Sequence, residues 1–296
     1  MSDNLKILLT GNTGFIGYNV GNYLLKKGYV IEGISRKKIH QNYLTHTLDL
    51  QNSNFIHKFK SKNDFDAIIH CASLTEEIDI TSMFNNNVLS TLNILEFCKL
   101  KNIKKFILIS GHNVYAPYCK IPINEKSKIL PSTNYGLTKL LQENLAQFYA
   151  ENHSIDTIIL RLSYTYGPNQ SSDKMIPSLI NKYVHSQPII LNKYKNGFQK
   201  IDAINIQDIC HVIVKALKIK KQFDIFNIAY GKSITVKDIL EILRQNIKSN
   251  SSVSVKEINK KINHYQYDIS HAQKILNFKP AIDLEKGIKQ LTINFI

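Results

Sequence analysis

Tyr135 and Lys139 stand four residues apart, a spacing that places both side chains on one face of a helix. Hydride transfer to a ketone builds negative charge on its oxygen, and that charge calls for a proton donor within hydrogen-bond reach. A phenol with an ordinary pKa of about 10 exchanges its proton poorly at neutral pH. A lysine ammonium beside it, such as Lys139 beside Tyr135, is expected to favour the phenolate and lower that value. The spacing alone is a weak signal, because 15 tyrosines and 35 lysines supply about two Tyr-x-x-x-Lys matches by chance. Two occur, the other being Tyr23–Lys27. Position separates them: only Tyr135–Lys139 follows a fifth strand-like segment.

A second chemical signal lies at the start of the chain. The apolar run Lys6–Thr10 is followed by Gly11, Gly14 and Gly17, and then by Val20, Leu24 and Leu25 at helical spacing. In a strand–turn–helix unit, Gly11 allows a tight turn, Gly14 lets the backbone approach a pyrophosphate, and Gly17 lets helix and strand pack closely. The helix N-terminus offers N–H groups and partial positive charge to phosphates. This stretch is therefore expected to bind a dinucleotide.

The elements that must position these residues alternate. Strands are predicted at 29–34, up to Asp49-Leu50, at 67–72, at 105–110 and near 155–161, with helices over about 81–101 and 134–150. Alternation of this kind predicts an α/β fold, a Rossmann-type doubly wound parallel sheet with its ligand crevice at the carboxyl ends of the strands. The last third reads as a smaller mixed α/β unit, with helices at 175–186, 206–219, 235–247 and 283–294 and short strands near 188–191, 200–204 and 225–228. The expected organisation is a dinucleotide domain over 1–165 and a substrate domain over 166–296, some of whose elements return to the first.

At the end of the second strand, Ser35-Arg36-Lys37-Lys38 occupies the place where a carboxylate would grip the ribose of NAD. Ser35 and Arg36 could hold a 2′-phosphate with charge-assisted bonds, so NADP is the first expectation and NAD the second. The net charge of +15 favours anionic partners, but the lysines are dispersed, which points to a small anionic ligand and away from nucleic acid. No apolar run is long enough to span a membrane and no signal peptide is legible, so a cytoplasmic location without membrane attachment is expected. Cys71, Cys98, Cys119 and Cys210 are scattered, suggesting neither a disulfide framework nor a metal site.

Together these landmarks resemble the extended short-chain dehydrogenase/reductase family of nucleotide-sugar epimerases, dehydratases and 4-ketoreductases. Matching pieces run in order from Gly11–Gly17 through Asp49-Leu50, His70-Cys71-Ala72, Asn87 to Asn93, Ser110 to Tyr115, Tyr135–Lys139 and Arg161–Pro168. They continue through Phe226-Asn227-Ile228, Asp268 and Leu276–Pro280. The resemblance implies that Lys139 also binds the nicotinamide ribose, that Asp49 contacts adenine and that Asn87 helps build the cofactor site. The cofactor contacts it implies are Gly11, Thr13, Gly14, Phe15, Ile16, Gly17, Ser35, Arg36, Asp49, Leu50, Cys71, Ala72, Asn87, Tyr135 and Lys139. Substrate contacts are expected at Thr75, Asn113, Tyr135 and Tyr164. The two long helices resemble those that pair across a homodimer in this family.

Three departures stand out. The position four before Tyr115, a Ser or Thr in the family, is Gly111, leaving Ser110, Asn113 or a water to supply the missing donor. His112-Asn113 replaces the Asp-Glu of the dehydratases. Ile201 stands where an arginine usually grips the diphosphate, and Lys200 or Lys193 cannot reproduce its fork. The leading expectation is an NAD(P)-dependent reductase of a nucleotide-linked keto-sugar, in particular a 4-keto-6-deoxy sugar, with Tyr135, Lys139 and Ser110 as catalytic residues. The alternatives are a 4-epimerase holding NAD and a non-catalytic dinucleotide sensor.

Overall fold

The computed structural model of the chain describes residues 5–38, 40–76 and 78–292. Within them the chain divides into two compact units. The first takes in the stretch up to Ala116, then Lys128–Leu162 and Cys210–Phe226; the second takes in Pro117–Ser127, Ser163–Ile209 and the stretch from Asn227.

The first unit is built on strands β1 (Lys6–Thr10), β2 (Val30–Ser35), β3 (Thr45–Thr47), β4 (Ala67–His70), β5 (Lys105–Gly111) and β6 (Asp156–Leu162). They lie in the order β6-β5-β4-β1-β2-β3, with Phe223–Ile228 beyond β6, in one seven-stranded sheet. Every pairing among β1–β6 is parallel. Parallel strands need crossovers and are covered on both faces, which is why Ile7, Leu8, Leu9, Ile68, Ile69, Phe106, Ile107 and Leu108 form near-continuous apolar runs and are fully buried. The expected doubly wound fold is present.

The crossover helices are α1 (Phe15–Lys26), the short α2 (Phe55–Lys58), α3 (Ile80–Met83), α4 (Ser90–Leu100) and α5 (Asn134–His153). The helix expected over 81–101 is interrupted: Phe84–Leu89, Phe-Asn-Asn-Asn-Val-Leu, forms a π-helix between α3 and α4. A widened turn of this kind redirects side chains and often marks a functional site. Here it carries Asn86 and Asn87.

The second unit has its own core, which includes Tyr166, Ile180, Ile201, Ile239, Leu243 and Ile288. Helices Met175–Val184, Val236–Asn246 and Leu284–Thr292 match the expected ones; residues 293–294 of the last expectation lie outside the described residues. Strand Val253–Ile258, which pairs parallel to Ile189–Tyr194, and helix Ser270–Leu276 were not legible. The strand is mostly exposed and lacks an apolar run, so periodicity could not separate it from a loop. Ile201 is fully buried, so the position expected to hold an arginine contributes to packing instead.

Asp202 organises this unit. Fully buried, its carboxylate accepts the backbone N–H groups of Tyr230 at 2.9 Å and of Gly231 and Tyr267 at 3.1 Å. Asp202→Ala should leave three buried donors unsatisfied and destabilise the protein by at least about 3 kcal/mol in urea unfolding. Asp202→Asn keeps one acceptor oxygen and should cost less.

Candidate active site

The glycine turn after β1 shows what each glycine is for. Gly11 has φ +66°, and a Cβ there would lie 2.5 Å from the Ala72 nitrogen. A Cβ on Gly17 would lie 2.2 Å from the Gly11 carbonyl oxygen. Both are therefore demanded by the protein itself. Gly14 differs: its Cβ would meet only the Gly11 oxygen, at an ordinary 3.4 Å. Gly14 is the N-cap of α1 with no side-chain cap, so the first turn of the helix has N–H groups to offer an anion. Of these three glycines, Gly14 alone is not required by packing. Thr13 beside it is exposed, and Phe15 and Ile16 open the helix.

Gly11, Thr13 and Gly14 border a cleft of about 260 Å³ that continues along Ser35, Arg36, Asp49, Leu50, Cys71, Ala72 and Ser73. All of these except Ser73 were expected cofactor positions; the expected Phe15, Ile16, Gly17 and Asn87 are not among the residues lining the cleft. Burial pushes the Cys71 thiol up to about 12, so it is neutral and unreactive at physiological pH. Ser35 is the last residue of β2 and buried, with its Oγ accepting the Lys37 N–H at 3.1 Å. Arg36 donates from Nη1 to Asn86 Oδ1 at 2.9 Å. Both groups expected to greet a 2′-phosphate already have protein partners.

Tyr135 and Lys139 project from α5 as the spacing requires. Their electrostatics depart from expectation. Burial pushes Tyr135 up to about 12, with the Ser73 side chain acting the other way. Lys139 is itself pushed down to about 8 by burial, with Glu143 and Cys71 acting the other way. Its Nζ donates to the Ile109 carbonyl at 2.6 Å. The lowering expected of Lys139 was to act together with an oxidised nicotinamide; in the chain without ligand, desolvation is the largest influence on Tyr135.

Ser110 does not face Tyr135. Its Oγ donates to Glu143 Oε1 at 2.5 Å, and Glu143 is paired with Arg161 at 2.7 Å, both nearly buried. Arg161 also donates to Tyr115 Oη at 3.1 Å. Successive strand residues turn their side chains to opposite sides, so the residue aimed at Tyr135 is Gly111, where a Cβ would lie 3.8 Å from Tyr135 Oη and 3.5 Å from Asn113 Oδ1. Asn113 is thus beside Tyr135, while Thr75 is exposed on the loop after β4. His112 is half-buried and pushed down to about 4, hence neutral. In the second unit, Tyr164 packs its ring against Tyr265 at 5.9 Å.

Asn87 was expected at the cofactor site, but its bonding pattern and the polar chain beyond it were not read from the sequence. Asn87, fully buried, accepts the Leu74 N–H at 2.7 Å and donates to the Leu74 carbonyl at 3.1 Å and to Thr138 Oγ1 at 3.0 Å. A chain of buried polar groups continues from it: Gln142 donates to the Asn87 carbonyl and Thr91, and Thr91 contacts His70, whose other ring nitrogen meets Thr10. Burial pushes His70 down to about 3, so its neutral ring links β1 to α4. The signal was available: Tyr135, Thr138, Lys139, Gln142 and Glu143 recur at the spacing of a core-facing stripe, yet all are polar.

Residues 7–229 match the family described as NAD dependent epimerase/dehydratase family. The chain is 28% identical over 311 residues to the UDP-glucuronate 4-epimerase of Thermodesulfobacterium geofontis, covering 97% of this chain and 95% of that one. It is 25% identical over 307 residues to the dTDP-4-dehydro-6-deoxyglucose reductase of Escherichia coli, covering 96% of each. The solved structure of UDP-glucuronic acid 4-epimerase from Bacillus cereus in complex with UDP-glucuronic acid and NAD is similar at TM-score 0.82 and 26% identity over 98% of each chain.

The two helix glycines should separate experimentally. Gly17→Ala should destabilise the fold by about 1–3 kcal/mol, because overpacking against backbone exceeds the roughly 1 kcal/mol gained in helix propensity. Gly14→Ala should keep the melting temperature and lose dinucleotide binding by fluorescence titration. Binding that depends on the Lys139 ammonium is full below its lowered pKa of about 8 and declines as pH rises through it. Lys139→Met should flatten that pH dependence.

Proposed function

The chain belongs to the NAD-dependent epimerase/dehydratase family, and from that premise we propose that it is a 4-epimerase of a UDP-linked sugar that works with NAD. The observation that carries this reading is the near full-length similarity to a UDP-glucuronate 4-epimerase. The first unit's glycine turn and Tyr135–Lys139 pair are its chemical support. The dinucleotide would lie along the cleft bordered by Gly11, Thr13 and Gly14, where the N–H groups around these residues and Phe15, Ile16 and Gly17 would hold its phosphates. Asp49 and Leu50 would border the adenine, and Cys71, Ala72 and Asn87 would shape the wall beyond. NAD supplies a hydride acceptor that returns the same hydride to the sugar carbon.

Tyr135 would take the proton of the sugar hydroxyl as that carbon is oxidised and give it back on reduction. Lys139 would stabilise the phenolate and bind the nicotinamide ribose. Asn113, Thr75 and Tyr164 are the proposed sugar contacts, and the second unit is the proposed substrate domain. Ser110 is left out because Glu143 holds its hydroxyl. NAD is proposed in place of NADP because the similar Bacillus cereus 4-epimerase structure holds NAD. A dinucleotide regenerated in each turnover has no need of a separate NADPH pool. A cytoplasmic location and a homodimer belong to the same proposal; Phe84, Leu137 and Phe148 on the two helical segments are exposed and available for pairing.

A second reading, reduction of a nucleotide-linked 4-keto sugar, is favoured by the similarity to the reductase of Escherichia coli. Incubation with UDP-glucuronate, UDP-glucose and UDP-N-acetylglucosamine should give the 4-epimer of one of them without net change in NAD. Stoichiometric oxidation of NADPH by a keto-sugar would establish the reductase instead. Tyr135→Phe should lower turnover by about 10²–10⁴-fold, the usual loss of a proton-transfer group. If a biological effect of the protein survived that substitution, a dinucleotide sensor would replace both enzymes. A single 33.9 kDa species in sedimentation would overturn the dimer.

A further inference from the structure

The dinucleotide cleft lies where the strands of the first unit end. At the edge of the same sheet where its strands begin there is a second and larger cavity, of about 970 Å³. Leu5 ahead of β1, Tyr29 ahead of β2, Lys105 at the start of β5 and Asp156 at the start of β6 all line it. Every lining residue belongs to the first unit. Parallel strands share one direction, so the length of β1, about 16 Å, separates this edge from the glycine turn. We propose that the cavity is a second ligand site, which binds a nucleoside polyphosphate through its lysines and its aromatic lining.

Lys27, Lys104, Lys105, Lys215, Lys218 and Lys220 line the cavity, against one carboxylate, that of Asp156. The dinucleotide cleft has one cation, Arg36, and one carboxylate, Asp49. Helix geometry gathers part of this charge: His211, Lys215 and Lys218 recur at i, i+4 and i+7 on helix Ile206–Lys218, hence on one face, while Lys27 is the C-cap of α1. A concave surface lined by one sign of charge draws counter-ions into it.

Lys105 adds a buried donor. It is 8% exposed, and its Nζ donates to the carbonyl of Ile219, also on the cavity wall, at 2.7 Å. An ammonium has three donors, and among the described residues no second group accepts from this one. Burying a charge with so few partners is costly, and it holds Lys105 down to about 8 although Asp156 acts the other way. A phosphate oxygen would supply both an acceptor and a counter-charge.

The apolar part of the lining selects the kind of anion. Tyr23 and His211 meet edge to face at 5.2 Å, Lys27 Nζ lies 5.5 Å from the centre of the Tyr23 ring, and Tyr29 lines the same space. Aromatic rings of this kind stack a base while neighbouring cations hold its phosphates. The volume is that of a site for a whole small molecule and exceeds the needs of a single inorganic phosphate.

The test is calorimetric titration of the full-length protein with ATP, inorganic tripolyphosphate and a single-stranded oligonucleotide. ATP should still bind when Gly14→Ala blocks the glycine turn, and the remaining variants are compared in that background. Lys27 and Lys218 are exposed, so Lys27→Glu with Lys218→Glu should keep the melting temperature. The pair should weaken ATP binding by at least about tenfold, the equivalent of one hydrogen bond to a charged group. Reversing two exposed lysines of the second unit, Lys237→Glu with Lys256→Glu, should not. Tyr23→Leu should weaken ATP and leave tripolyphosphate unchanged. If charge reversal lowers the melting temperature, Lys27→Gln with Lys218→Gln decides by the same reading. Absence of ATP binding in Gly14→Ala would overturn the proposal, as would an equal loss from the control pair. Tripolyphosphate bound as tightly as ATP would overturn the nucleotide in favour of an inorganic anion, and an oligonucleotide bound more tightly than ATP would overturn it in favour of a nucleic-acid surface. None of these titrations uses a sugar or turnover, so the site and the 4-epimerase reading stand or fall separately.

Discussion

One side-chain amide, that of Asn87, holds the candidate site in register. A buried polar group without a partner costs about as much as a hydrogen bond is worth, so every donor and acceptor taken into the first unit must be matched. Asn87 meets that demand by binding Leu74 twice and Thr138 once. Through them it couples the loop after β4 to the start of α5. The π-helical turn that aims it is the local deformation that makes this geometry available.

Much of the polar interior follows the same rule, although Asn12 Oδ1 and Gln142 Oε1 are buried without a hydrogen-bond partner among the described residues. Thr10, His70, Thr91 and Gln142 form a continuous chain between the end of β1 and α5. Glu143 and Arg161 form a second group, closed by Ser110 and Tyr115. A buried pair of this kind adds little net stability, but removing either partner strands a charge, so such groups specify geometry more than they strengthen the fold. The neutral His70 and the neutral Cys71 thiol show how far burial shifts ionisation beneath the cleft. Tyr135 is subject to the same force.

The glycines illustrate how packing and ligand binding divide a short motif. Gly11 and Gly17 are required by backbone that passes within van der Waals distance, whatever is bound. Gly14 is required by neither steric contact nor a positive φ, and its place at the uncapped start of α1 leaves the approach to the helix open. A motif that reads as a single pattern therefore holds two kinds of constraint. Ile201 makes the complementary point in the second unit, where a position associated with a charged side chain is taken over by the core.

Much of this was legible in the chain alone. Apolar runs such as Ile7–Leu9 and Phe106–Leu108, alternating with helical periodicity, determine a doubly wound sheet because parallel strands buried on both faces admit few other arrangements. The glycine turn and the Tyr135–Lys139 spacing are local, lying within one turn or one helix face, and so could be read from neighbours in sequence. The partners of Ser110, Tyr135 and Asn87 were not, because each lies across a crossover on another strand or helix. Which of Ser110 and Gly111 turns toward the phenol depends on strand pleat, and the register of the loop after β4 depends on a π-helical turn and on one amide spanning 51 residues between Asn87 and Thr138. Tertiary structure alone decides such questions, since a one-residue change in which side chain faces inward alters the chemistry without altering the pattern.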